Sequence, residues 1–198
     1  MSLIVAIRKN GRIYMAADTQ STCGDIKFTR LGKDAKKIEM FENGMMLGHT
    51  GLVHNTQIVC AHPELFTLPE DGILTKRHVV QNIIPRLYKC YKDHEMLMEK
   101  ENAPVGADNE FLLAHGDRLF HINKWFEVSA VGHYAAVGSG TDIALPGLVA
   151  LDAEGSLCDT EIEERLVELL RIASSRVTSV SGPFYTVDST VQTFKLAQ

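Results

Sequence analysis

With 198 residues, 45% of them hydrophobic and 23% charged, the chain has the make-up of a folded globular protein, and its length suits one domain spanning 1–198. A net charge of −5 argues against nucleic acid as a partner, and no apolar run reaches the length of a membrane span. The four cysteines are scattered without a CxxC pair, and residues 1–2 lead straight into strand-like sequence with no basic leader, so reduced thiols and a cytoplasmic location are expected.

In chain order, residues 3–7 are apolar and β-branched, Arg8-Lys9-Asn10-Gly11-Arg12 supplies a turn, and 13–17 returns as a strand. Asn-Gly between two such runs is the strongest short signal for a hairpin. A polar loop over 19–24 precedes a short strand at 26–29. The runs 36–41 and 45–49 flank Glu42-Asn43-Gly44 as a second hairpin. From 52 to 60 the pattern turns helical. Residues 75–100 then carry Val79, Ile83, Leu87, Cys90, Tyr91 and Leu97 mostly three or four apart, which predicts a long helix that Pro85 kinks or breaks. Strands follow at 110–114, 118–122, 125–130 and 134–137, with Gly116-Asp117 turning between the first two.

Gly138-Ser139-Gly140 leads into a helix over 141–151, and Asp159 or Thr160 can cap another that runs to residue 174, its first turn loaded with carboxylates. Strands at 183–187 and 190–196 close the chain. Strands thus come in hairpins and helices in pairs, which is not the βαβαβ alternation of a parallel sheet. The expected class is α+β: a four-layer αββα sandwich of two antiparallel sheets flanked by helix pairs.

The same residues resemble the proteasome β-subunit family, and within it the bacterial ring peptidase HslV. The matching segments are Ser2-Leu3-Ile4-Val5-Ala6, Asn10-Gly11, the stretch Ala16-Ala17-Asp18-Thr19-Gln20-Ser21-Thr22-Cys23-Gly24, Lys36-Lys37-Ile38, Gly48-His49-Thr50-Gly51, Val137-Gly138-Ser139-Gly140 and Ser179-Val180-Ser181-Gly182-Pro183-Phe184. Each is weak alone; the ordered set covers nearly the whole chain. The resemblance implies an N-terminal nucleophile (Ntn) hydrolase, a threonine- or serine-type endopeptidase. In such an enzyme the first residue of the mature chain attacks the amide, with its own α-amine as base. Carried over, Ser2 is the nucleophile, Asp18 orients Lys37, Lys37 lowers the nucleophile's proton affinity, the Gly51 N–H is the oxyanion donor, and Ser139 completes the proton network. The resemblance also implies a homo-oligomeric ring, peptides or unfolded chains as substrate, and an ATPase unfoldase as partner.

The chain departs from the pattern at three places. Ser2 stands where the family has Thr, losing the methyl group that restricts χ1. Thr178 stands where the family has Asp. Met1 precedes Ser2, so a free amine requires its removal. Two other readings of the same fold are a non-catalytic ring subunit and a small-molecule amidohydrolase. Without the resemblance, Asp18 is a turn-capping carboxylate, Lys36 and Lys37 a surface stripe, and Gly51 and Ser139 ordinary turn residues. Neither His49 with His54 nor Asp93-His94-Glu95 shows a metal-ligand spacing, and no phosphate-binding loop is present, so no metal and no cofactor are expected.

Overall fold

The computed structural model describes residues 2–23, 26–29, 36–98, 104–191 and 193–197. Strands β1 (Leu3–Lys9) and β2 (Arg12–Ala17) form the expected hairpin, with positive φ at both Asn10 and Gly11 as a type I′ turn needs. A separate small hairpin follows, β3 (Gln20–Cys23) with β4 (Ile26–Thr29). Next come β5 (Ile38–Met40), β6 (Met46–Gly51), β7 (Asn109–His115), β8 (Arg118–Ile122) and β9 (Val128–Val131), which pair in that order as one antiparallel sheet. The hairpin β1–β2 belongs to the other five-stranded sheet. It is completed by β10 (Tyr134–Gly138), β11 (Phe184–Asp188) and β12 (Lys195–Ala197) in the order β10-β1-β2-β11-β12.

The helices are α1 (Val53–Cys60), α2 (Lys76–His78), α3 (Ile84–Asp93), α4 (Thr141–Ala153) and α5 (Asp159–Ser174). Leu3, Val5 and Ile7 of β1 and Tyr14 and Ala16 of β2 pack against Leu148, Leu166 and Leu170 of α4 and α5. The alternate residues Ile4, Ala6, Ile13, Met15 and Ala17 meet Ile38, Met46, Leu112 and Leu119 of the facing sheet. The far side of that sheet, through Leu47, Phe111, Leu113 and Phe120, lies under Val59, Leu87 and Tyr91. The result is the four-layer αββα sandwich. A strand covered on both faces needs apolar side chains at every position, which is why the segment 3–7 is a continuous apolar run.

Five local expectations change. The polar loop read over 19–24 holds strand β3 at Gln20–Cys23, because those residues pair with Ile26–Thr29. The helix read over 75–100 is helical only from Lys76 to Asp93, and a π-turn, Val79–Ile83, separates α2 from α3. Pro85 has no N–H to return to the preceding turn, so the regular ladder restarts at Ile84. After Asp93 the chain leaves the helix, with Glu95 at φ 55 and Met98 bridged to Gly106; residues 99 and 100 of the predicted helix lie outside the described residues. The strand read from 125 starts at Val128, because the Asn123 side chain accepts the N–H groups of Trp125 and Glu127 and holds a turn there. The last strand shrinks to Lys195–Ala197, because the Asp188 carboxylate takes the N–H groups of Thr190 and Val191. Cys158, not Asp159 or Thr160, is the cap of α5, its N–H donating to the Glu161 carboxylate at 2.7 Å.

Candidate active site

Antiparallel pairing of Ile4 with Ala17 sets Asp18, just past β2, beside the start of β1. Asp18 is fully buried. Its Oδ1 accepts the Leu3 N–H at 2.9 Å and the Lys37 Nζ at 2.8 Å, and its Oδ2 accepts the Gln20 N–H at 3.1 Å. Lys37 Nζ also donates to the Gln20 carbonyl at 2.5 Å. Burial pushes the Asp18 carboxyl above its ordinary range; the Lys37 ammonium and the two backbone N–H groups oppose it. A charge this deep is tolerable only because it is paired and hydrogen-bonded.

Successive side chains of an extended segment face opposite ways, and here Lys37 turns inward while the Lys36 ammonium sits 3.5 Å from the centre of the Phe194 ring. The Tyr185 hydroxyl, from β11, accepts the N–H groups of Lys37 and Ile38, the latter at 2.9 Å, and so fixes the entry into β5. His49 in β6 donates its backbone N–H to the Lys37 carbonyl at 2.9 Å. Burial and the Lys37 charge lower its imidazole from 6.5 to about 4, so it is neutral at neutral pH.

The Ser2 carbonyl accepts the Ser139 N–H at 2.9 Å and the Ser139 hydroxyl at 3.3 Å, and that hydroxyl lies 2.7 Å from the Ser179 hydroxyl. Gly138 has φ +103, and a Cβ there would lie 2.1 Å from the Ser2 carbonyl oxygen and 3.2 Å from Thr50 Cγ2. Thr50 precedes Gly51, so the end of β6 reaches the Ser2 corner. At Gly51 itself a Cβ would fall 1.8 Å from the Asp108 carbonyl oxygen, leaving room for glycine alone.

Asn109 holds this turn from behind. Its amide nitrogen donates to the carbonyls of Thr50 (2.8 Å) and Leu52 (3.3 Å), which bracket Gly51. Its amide oxygen accepts from Asn55 (2.9 Å) and from the Tyr91 hydroxyl (2.8 Å), and all three side chains are buried.

No known family profile matches the chain, and no curated protein matches it. Solved structures do. BPH of Thiobacillus denitrificans in complex with epoxomicin aligns with a TM-score of 0.75 at 21% identity, over 94% of this chain and 97% of that one. Anbu, the ancestral β-subunit, from Yersinia bercovieri gives 0.70 at 15% identity over 98% and 86%. A Gly-1 mutant of Anbu from Hyphomicrobium sp. strain MC1 gives 0.73 at 17% over 99% and 87%.

The fold is proteasome-like. More fully, it is the proteasome-like Ntn hydrolase fold, a likeness that stops short of HslV in particular.

In this proteasome-like frame, Asp18 bonds the backbone of residue 3 and Ser139 that of residue 2; Lys37 is linked to them through Asp18, and Gly51 only as the neighbour of Thr50, whose methyl lies near Gly138. Met1 and Gly24 lie outside the described residues. Sequence reasoning gave no role to Asn109 or Tyr185. Neither sits in a quoted motif with a polar signature, and both act across layers on residues distant in sequence. Gln20 and Ser179 were inside matched segments but were not singled out. Their roles appear in the Gln20 carbonyl on Lys37, the Gln20 side chain on the Thr178 carbonyl (2.9 Å), and the Ser179 hydroxyl on Ser139.

Proposed function

We propose that the chain is a proteasome-like Ntn peptidase, an HslV-like endopeptidase whose nucleophile is Ser2 once Met1 is removed. The observation that carries this reading is the buried Asp18–Lys37 pair, bonded at 2.8 Å and tied to the Leu3 N–H beside the proposed nucleophile. An ion pair of this depth stabilises a fold poorly compared with apolar packing, and its place beside Ser2 gives it a chemical use.

The Ser2 hydroxyl attacks the substrate carbonyl carbon while its proton passes to the Ser2 α-amine, whose ordinary pKa is about 8. Lys37 favours the developing negative charge on the Ser2 oxygen. The Gly51 N–H faces the oxyanion. The α-amine, assisted by Ser139, returns the proton to the leaving amine, and water then hydrolyses the Ser2 ester. The complex of BPH with epoxomicin supports assigning such a site to this fold, and makes epoxomicin a suitable inhibitor to try.

The proposal extends to the assembly. Val149 of α4, Ile172 of α5 and Tyr88 of α3 expose apolar surface on the two helix layers, which suits side-by-side packing into a homo-oligomeric ring. The substrate is then peptide or unfolded chain delivered to an inner chamber by an ATPase unfoldase, in the cytoplasm. Among the described residues no helix is long and apolar enough to cross a membrane.

The test compares a form beginning with a free Ser2 amine against a form retaining Met1 on a panel of fluorogenic peptides. An amide nitrogen cannot act as the base, so the Met1 form is expected to be slower by about 10²–10⁴-fold. Equal activity in both would place the nucleophile elsewhere. A folded Ser2-amine form inactive on every peptide would leave a structural ring subunit or a small-molecule amidohydrolase of the same fold.

A further inference from the structure

The outer helix layer over the β5–β9 sheet carries a cluster that the proposed Ser2 chemistry does not use. Cys90 lies on α3, and His94 caps the same helix one turn later, its N–H donating to the Cys90 carbonyl at 3.1 Å. His62 comes from the loop that follows α1. One ligand atom from each of the three lies within 4.8 Å of the other two. They line a cleft of about 460 Å³ together with Glu64, Arg86 and Lys89. The cluster escapes a reading of Asp93-His94-Glu95 because its second helical donor is four residues back and its third is in a different element.

We propose that His62, Cys90 and His94 bind a zinc-type divalent transition metal ion, with the fourth position left to water.

Three features favour that ligand. A thiolate with two imidazoles is the donor set of borderline-soft ions, not of magnesium or calcium. The Glu64 carboxylate lies 2.7 Å from His62 Nδ1, placed to accept an N–H from that nitrogen while Nε2 ligates, the arrangement that orients ligating histidines in metal sites. The site also sits at the C-terminal end of α3, where the helix dipole favours a cation. A tetrahedral zinc ion with bonds of about 2.0–2.3 Å brings its donors to about 3.3–3.7 Å from one another. The three groups therefore have to close by roughly an ångström. Buried Cys90 is the fixed point; His62, half-buried, and His94, exposed, move by side-chain rotation. As the sulfur–metal bond forms, the Cys90 proton passes to solvent. The bound ion would then clamp the 62–65 segment to the end of α3.

The experiment titrates Co²⁺ into the metal-free full-length protein and follows absorption. The expected result is one ion per chain, a thiolate-to-cobalt charge-transfer band with intense tetrahedral visible bands, and displacement of all of them by Zn²⁺. Cys90→Ser removes the charge-transfer band, whereas Cys23→Ser, at an exposed thiol outside the cluster, keeps it. Glu64→Gln keeps the band but weakens binding by about 10–100-fold, the usual loss when a histidine loses its orienting carboxylate. If Cys90→Ser does not fold, His94→Ala, at an exposed position, carries the test and lowers affinity at least as much as Glu64→Gln. A wild-type titration without the band, a band that persists in Cys90→Ser, or undiminished affinity in His94→Ala would overturn the proposal. None of these readouts depends on peptidase activity.

Discussion

Replacing Asn109 with Leu preserves volume and removes the node that holds the Gly51 turn. The Asn55 amide and the Tyr91 hydroxyl, bonded to Asn109 at 2.9 and 2.8 Å, are left buried without that acceptor. Each stranded group costs about 1–3 kcal/mol, so the two together cost about 2–6 kcal/mol. The Thr50 and Leu52 carbonyls add less, because a carbonyl retains a second lone pair. This is a large share of the roughly 5–15 kcal/mol that holds a typical domain folded. Tyr91→Phe alone leaves Asn109 bonded to Asn55 and costs about 1 kcal/mol. The double variant no longer strands the Tyr91 hydroxyl, so it is less destabilised than the sum of the singles by about 1–2 kcal/mol. Urea denaturation of the four proteins followed by circular dichroism measures all of these. In folded Asn109→Leu, kcat on the best peptide falls more than KM rises, because the Gly51 N–H shifts while the rest of the site stays. An Asn109→Leu cost below about 0.5 kcal/mol, or strict additivity with Tyr91→Phe, would refute the view that this network holds the turn.

Three other outcomes are expected. Lys37→Ala strands the buried Asp18 carboxylate and costs about 3–5 kcal/mol, while Asp18→Asn with Lys37→Met regains most of that stability without regaining activity; denaturation curves and peptide hydrolysis separate the two effects. Gly138→Ala costs at least about 2 kcal/mol, since its Cβ meets the Ser2 carbonyl oxygen at 2.1 Å in a backbone conformation L-residues avoid; a thermal melt within a degree of wild type would contradict it. His49 is held neutral, its imidazole lowered from 6.5 to about 4, so the unfolded chain takes up a proton that the folded one refuses. Its contribution is complete above 6.5 and is lost as pH falls from there toward 4, up to about 3 kcal/mol in all. Urea midpoints at pH 7.5 and 4.5 therefore differ less in His49→Gln than in wild type, and equal differences would count against the assignment.

The αββα order was legible in the chain because each of its elements is encoded within a few residues. Asn10-Gly11 permits one hairpin turn, the alternating and continuous apolar runs fix which strands are covered on one face or two, and the carboxylates after Cys158 mark a helix start. The proposed site was legible only as far as the family resemblance reaches: Asp18, Lys37, Gly51 and Ser139 could be named and Asp18 matched to Lys37, but their other partners could not. Apart from the resemblance, which pointed to Lys37, alternation gives Lys36 and Lys37 two faces and no choice between them. The choice came from Asp18 across the sheet and from the Tyr185 hydroxyl, which tethers the Lys37 and Ile38 N–H groups from β11. Asn109 with Asn55 and Tyr91, and His62 with Cys90 and His94, are likewise products of packing. Polar side chains carry no periodic signal of their own, and their partners are selected by which layers close over them. Local pattern thus determined where strands and helices form, and the stacking of four layers decided which buried charges and hydrogen-bonding groups meet.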